Sequence, residues 1–165
     1  MGRVLSQEEL IARLGREVRG GRCVVFTNGC FDLLHPGHIR SLERARSLGD
    51  VLVIGLNGDA SVRQLKGNSR PLVSQQERAE VLAALAAADF VVIFDEATPR
   101  ALIARLLPDV LAKGADWKDH IVGREEVEAA GGRVVSLSIE PGYSTTAILE
   151  AVRATIPKTS SPPPR

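Results

Sequence analysis

The chain has 165 residues, 44% of them hydrophobic, and a formal net charge of only +1. That length fits one domain with a full core, and the near-neutral charge excludes a broad basic face for nucleic acid. Two cysteines exclude a disulfide framework and fit a reducing cytoplasm. No apolar run approaches the ~20 residues that span a bilayer, and residues 1–5 lead into a polar helix without a signal peptide.

In chain order, Ser6-Gln7-Glu8-Glu9 is a capping box that opens an amphipathic helix to about residue 18. This N-terminal piece, within residues 1–20, is expected to pack on the outside of the domain. Residues 23–26 form a short apolar, β-branched run after Gly20-Gly21 and read as a buried strand. From Ile39 onward Leu42, Ala45, Arg46 and Leu48 recur at helical spacing, with Gly49 as the stop. Residues 51–56 are a second buried strand, and Asn57-Gly58-Asp59 leads to a short helix ending near Gln64. Ser74-Gln75-Gln76-Glu77 is another capping box, with its helix reaching about Ala87. Residues 90–94 are the third strand, and Pro99 stands at the first position of a helix that Pro108 ends. Residues 110–113 are the fourth strand, and 123–130 a helix stopped by Gly131-Gly132. Residues 134–138 are the fifth, and 145–154 the last helix.

Five apolar strands alternating with helices predict an α/β fold, a Rossmann-like doubly wound five-stranded parallel sheet with helices on both faces. Residues 1–156 make one domain. The Pro/Ser-rich segment 157–165 has no apolar pattern and reads as a disordered tail. Right-handed crossovers bring the strand C-termini to one edge, where such folds bind ligands. The loops delivered there run over 28–38, 57–59, 113–118 and 140–146.

The first of these loops is the richest. Thr27-Asn28-Gly29-Cys30-Phe31-Asp32-Leu33-Leu34-His35-Pro36-Gly37-His38 joins a strand to a helix N-terminus, where free N–H groups and the dipole favour an anion. Gly37 leaves no side chain between the histidines, so a phosphate can approach the backbone. Two histidines three apart also suit a solvated helix face or half of a zinc site. Zinc would need further ligands, and the other candidates are His120, Cys23 and Cys30. On residue types alone, these readings stay open. Ser144-Thr145-Thr146 is either a plain N-cap or a second anion cradle. Lys66, Lys113 and Arg70 suit phosphates or a solvated surface. Asp32 and Asp116 would meet Mg²⁺ only indirectly, since that ion keeps waters and substrate phosphates. Asp116 equally suits a ribose, Trp117 a base or plain packing, and Asp59 sugar hydroxyls or a helix cap.

The stretch Gly29 to His38, with Ser144-Thr145-Thr146, resembles the two signatures of the HxGH nucleotidyltransferase superfamily in its cytidylyltransferase-like branch. Within that branch the chain is most similar to the adenylyltransferases that act on D-glycero-D-manno-heptose 1-phosphate. That similarity is carried by Thr27-Asn28-Gly29, Leu65-Lys66-Gly67-Asn68-Ser69-Arg70-Pro71 and Lys113-Gly114-Ala115-Asp116-Trp117. It extends over roughly residues 5–154. Ala115 and Trp117 stand where Gly and often Tyr are expected, and Tyr143 where Cys is common.

The resemblance implies transfer of AMP from ATP to the sugar 1-phosphate, with Mg²⁺, giving ADP-heptose and pyrophosphate for cell-envelope glycan synthesis. It implies catalytic roles for His35, His38 and Lys66. Nucleotide binding falls to Thr27, Asn28, Gly29, Cys30, Phe31, Gly37, Lys113, Gly114, Asp116, Trp117, Ser144, Thr145 and Thr146. Acceptor binding falls to Asp32, Asn57, Asp59 and Arg70, with no direct protein ligand to a metal. A separate sugar kinase would supply the acceptor, and a homodimer is left open; neither nucleic acid nor membrane is an expected partner. The alternatives are a cytidylyltransferase for glycerol 3-phosphate or a phosphorylated amino alcohol, an FMN adenylyltransferase, or a non-catalytic nucleotide sensor.

Overall fold

The computed structural model describes residues 1–114, 121–138 and 140–156. Thirteen elements follow one another among these residues. They are β1 (Arg3–Leu5), α1 (Gln7–Leu14), β2 (Val24–Gly29), α2 (Pro36–Arg46), β3 (Val51–Asn57), α3 (Asp59–Lys66) and α4 (Gln75–Ala83). After them come β4 (Phe90–Phe94), α5 (Arg100–Leu106), β5 (Val110–Gly114), α6 (Arg124–Ala129), β6 (Arg133–Leu137) and α7 (Thr145–Thr155).

The sheet has six strands rather than the expected five, in the order β1-β4-β3-β2-β5-β6. Every pairing is parallel. The extra strand is β1, three residues that pair Arg3 with Phe90 and Leu5 with Val92 at the sheet edge. Its sequence hides it. Arg3 and Val4 face solvent and only Leu5 is buried, so no periodic apolar run marks a strand that tertiary pairing alone recruits.

Side chains alternate between the two faces, as a pleated strand requires. On β2, Val25 enters one core with Leu42 and Ala45 of α2 and Ala79 and Leu82 of α4. Its neighbours Val24 and Phe26 enter the other, with Leu10 and Leu14 of α1, Leu102 and Leu106 of α5, and Val127 of α6. The sheet is therefore doubly wound. Helix α1 lies against it, with Leu10 and Leu14 fully buried.

Several boundaries differ from the periodicity reading. Helix α1 stops at Leu14 rather than near Val18, and α4 at Ala83 rather than Ala87. Arg19, only 4% exposed, donates to the carbonyls of Leu106 (3.3 Å) and Leu107 (2.8 Å) and pairs with Asp109 at 2.7 Å. These bonds pin residues past the α1 end to the end of α5. Pro99 caps α5 instead of opening it. Gly49 is not a left-handed stop after α2. It is needed because a Cβ there would lie 2.6 Å from the Cys23 carbonyl oxygen.

The chain passes from β2 outward through β3 to β4, then crosses back to place β5 on the other side of β2. The C-terminal ends of β2 and β5 therefore flank the topological switch point, the place where open α/β sheets take ligands.

Candidate active site

At that switch point lies a cavity of about 210 Å³. Thr27 and Asn28 of β2, the turn Gly29-Cys30-Phe31-Asp32, His38 and Ser41 of α2, Lys66, Gly114 and Thr145 line it. A second cavity of about 220 Å³ adjoins it through His38, Ser41 and Gly114, and extends past His35 and Gly37 to Leu137, Ser138, Glu140 and Tyr143. Residues from four separate loops thus meet at one sheet edge.

The two histidines differ in what they do. His35 is the N-cap of α2, and its Nδ1 accepts the His38 backbone N–H at 3.3 Å. Its neutral ring therefore carries the proton on Nε2. The imidazole of His38, one turn on, stacks on that of His35 with centroids 3.7 Å apart and planes at 15°. Phe31, held at φ 46°, meets the His38 ring edge-on at 5.4 Å. Nδ1 of His38 is buried without a hydrogen-bond partner among the described residues, which marks an atom waiting for a ligand. Burial, then His35 and Lys66, push the His38 pKa down to about 4. Burial also lowers that of His35. Both rings are neutral at pH 7, as hydrogen-bonding groups at a positive helix end should be.

Pro36 stands at the first position of α2, and Gly37 follows it. A Cβ on Gly37 would lie 3.1 Å from the His35 ring and 3.1 Å from the Tyr143 Cβ. Glycine is therefore what lets the histidine, the helix start and the β6–α7 loop close together. Tyr143 lies over His35 with ring centroids 6.3 Å apart. The Arg40 guanidinium sits 5.3 Å from the Tyr143 ring. Arg40 and Arg44 of α2 both pair with Glu140, and their hydrogen bonds hold its carboxyl below the usual range.

Opposite the histidines, Lys113 is 9% exposed and its Nζ donates to the Asn28 side-chain oxygen, bridging β5 to β2 across the switch point. Lys66 is exposed and ends α3 rather than lying in a loop. Thr145 donates its hydroxyl to the Leu33 carbonyl at 3.3 Å, tying the start of α7 to the loop after β2. Ser144 acts as a plain N-cap, accepting from Ala147 N–H at 3.0 Å. Thr146 faces outward. Burial raises the pKa of Cys30, leaving a neutral thiol in the wall of the cavity. Asp116 and Trp117 lie outside the described residues.

The four expected acceptor residues form a frame beside the cavity, and only Asp32 lines it. Asp32 accepts from Arg70 Nε at 2.5 Å, Leu72 N–H at 2.8 Å and Val73 N–H at 3.1 Å. Burial raises its pKa, but these three donors outweigh it and hold the carboxyl below its usual range. Asn57, 4% exposed, donates from Nδ2 to Ser61 at 2.9 Å. Asp59 pairs with Arg78 at 2.7 Å. Asn57, Asp59 and Arg70 line neither of the two cavities. Arg78 is the residue that sequence reasoning passed over. Within Gln75-Gln76-Glu77-Arg78 it looks like one more charge on a solvated helix, yet it is 2% exposed. Among the described residues no cluster of three or more His, Cys, Asp or Glu could hold a metal ion, and no helix is long and apolar enough to cross a membrane.

A family model described as cytidylyltransferase-like matches residues 26–151. The bifunctional protein HldE of Syntrophotalea carbinolica is 54% identical over 151 residues, covering 91% of this chain and 31% of that protein. HldE of Geobacter sulfurreducens matches with the same identity and coverage. The chain thus spans about a third of the length of these relatives. Among solved structures, the lipopolysaccharide core biosynthesis protein of Thermoplasma volcanium is 26% identical with a TM-score of 0.60, over 73% of this chain and 98% of that one. Pantothenate synthetase of Thermus thermophilus shares the fold at 20% identity and a TM-score of 0.58, over 82% of this chain and 61% of its own. With the helix-capping His35, the stacked His38 and the turn after β2 at the switch point, these matches place the chain in the cytidylyltransferase-like family of nucleotidyltransferases.

Proposed function

We propose that this chain transfers the adenylyl group of ATP to D-glycero-D-manno-heptose 1-phosphate, giving ADP-heptose and pyrophosphate. The observation that carries the reading is the cavity at the switch point, where His38, Lys66 and Thr145 converge on the turn Gly29-Cys30-Phe31-Asp32. The resemblance in residues 27–29, 65–71 and 113–117 and the similarity to HldE proteins point to the heptose acceptor. So does the neighbour named for lipopolysaccharide core biosynthesis.

In this reaction an oxygen of the sugar phosphate attacks the α-phosphorus, and the bond to the bridging oxygen of pyrophosphate breaks. A phosphate monoester has a second pKa near 6, so the nucleophile is already ionised and no general base is required. The protein's part is alignment and stabilisation of charge growing on the phosphates. His35 offers its Nε2–H and the α2 N-terminus the Gly37 N–H, since Pro36 has no N–H and those of His38 and Ile39 are bonded to His35. His38 adds a neutral imidazole whose Nδ1 has no partner among the described residues. Lys66 supplies positive charge from the wall of the first cavity, which Thr145 at the start of α7 also lines. Mg²⁺ fits here as an ion carried on the triphosphate with its waters. Among the described residues the one carboxylate in the first cavity's wall, Asp32, is already bonded to three protein donors. When bound, the ion neutralises phosphate charge. The second cavity, beside Gly114, Ser138 and Tyr143, takes the adenosine, with backbone groups of the β5 and β6 loops reading the base. A cytoplasmic setting and a kinase activity that phosphorylates the sugar complete the reading.

The test is pyrophosphate release with ATP, CTP, GTP and UTP against a panel of phosphorylated acceptors. ATP with the heptose 1-phosphate is expected to give the highest kcat/KM. Equal or better rates with CTP and glycerol 3-phosphate would overturn the heptose assignment and leave nucleotidyl transfer standing. Activity with FMN would redirect it to a flavin, and nucleotide binding without pyrophosphate release would leave a sensor.

A further inference from the structure

One guanidinium, itself outside the cavity wall, ties together three segments around the cavity. Arg78 donates from Nε to the Val73 carbonyl at 3.0 Å. Its Nη1 donates to the carbonyls of Cys30 at 2.5 Å and Asn57 at 2.9 Å, and its Nη2 to Asp59 Oδ1 at 2.7 Å. The acceptors belong to the turn after β2, the end of β3 with the start of α3, and the approach to α4. A planar fork of five N–H donors suits this arrangement, which a lysine ammonium cannot reproduce.

Two of those attachments bear on the cavity wall. The Cys30 carbonyl belongs to the turn that lines it. Asp59 is the first residue of α3, whose last residue is Lys66. Across this eight-residue helix the rise is about 10 Å. A tilt of about 6° at the Asp59 end therefore moves the Lys66 end by roughly 1 Å. The Asp59 N–H donates to Gln75 Oε1 at 2.7 Å, so the same helix end is held a second time from α4. The cap Gly58 has no side chain to anchor the helix start itself.

We propose that Arg78 is a positioning residue for nucleotidyl transfer: by gripping Asp59 and the Cys30 and Asn57 carbonyls, it sets the orientation of α3 and thereby places Lys66 at the cavity. The proposal rests on the nucleotidyl-transfer reading above. Arg78 touches no substrate; it acts through Lys66.

The experiment compares Arg78→Lys, Lys66→Ala and the double variant in pyrophosphate release, with thermal melting and amide hydrogen exchange on each. Arg78→Lys is expected to melt cooperatively and keep its KM for ATP. Its kcat should fall by about ten- to a hundredfold, as a misplacement near 1 Å produces. In the Lys66→Ala background the same change should lower kcat far less, because no ammonium is left to place. Equal factors in the two backgrounds, or a lowered Tm with wild-type kcat per folded molecule, overturn the proposal. Should wild-type protein release no pyrophosphate, the reaction reading fails separately. Exchange across residues 59–66 still decides the positioning claim, since Arg78→Lys must speed it there selectively and unchanged exchange refutes it. If Arg78→Lys does not fold, Asp59→Asn weakens the same grip and must show the same dependence on Lys66.

Discussion

Gly37→Ala separates folding from chemistry, because only the chemistry is expected to respond strongly. Gly37 is the second residue of α2, and its φ is not in the left-handed region, so the backbone accepts alanine. Helix propensity alone favours the change by about 0.5–1 kcal/mol. The new Cβ, however, would stand 3.1 Å from Cε1 and Nδ1 of His35 and from the Tyr143 Cβ, where relaxed carbon contacts lie at about 3.5–4.0 Å. The His35 ring must withdraw by roughly 0.5 Å. Its hydrogen bond to the His38 N–H is already 3.3 Å long and would break, and losing that cap costs about 1 kcal/mol. The two contributions nearly cancel, so Tm should stay within about 4 °C of wild type. Turnover has no such compensation. If 1 Å of misplacement costs about a hundredfold, half of that predicts a loss near tenfold. Pyrophosphate release at saturating and limiting ATP, alongside a melting curve, reads both quantities. A Gly37→Ala protein with wild-type kcat/KM would refute the reasoning, since His35 and the bare helix start could not then be aligned on the reacting phosphates.

Three further outcomes are expected. His38→Ala should lower kcat by on the order of 10²–10³, the usual loss for one transition-state donor, with kcat per folded molecule as the readout. The His38 pKa falls from 6.5 in the unfolded chain to about 4 in the folded protein. The unfolded chain therefore binds more protons between those values, and stability must drop as pH falls through that window and level off above it. Melting from pH 7.5 to 4.5 should show a shallower decline for His38→Gln than for wild type, and parallel curves would contradict the burial argument. Arg19→Ala removes donors from the Leu106 and Leu107 carbonyls and the partner of Asp109. Because Asp109 is partly solvated, the expected cost is about 2–4 kcal/mol, or on the order of 10 °C in Tm. Its turnover per folded molecule should be unchanged, because the bonds lie at the opposite end of the sheet from the cavity.

Local chemistry alone determined much of this protein. The strand at residues 90–94 was legible to the residue, because a buried parallel strand is a continuous apolar run. The Ser6 and Ser74 capping boxes form as their spacing requires, since a capping box is closed within four residues. His35 and His38 were legible as a pair at a helix start, for the same reason of proximity. What tertiary structure decided is whatever depends on partners far along the chain. Strand β1 exists because Phe90 to Val92 offers it an edge, and no pattern in Arg3-Val4-Leu5 records that. Asp32 and Arg70, 38 residues apart, pair with each other instead of facing open solvent. Arg78 carries the polar pattern of an exposed helix position, and only the folding of three separate segments around it buries its charge and satisfies its donors. A charged side chain is read as exposed until the acceptors that make its burial tolerable come together, and for Arg78 all but the Asp59 carboxylate are backbone carbonyls, which every sequence has and none displays.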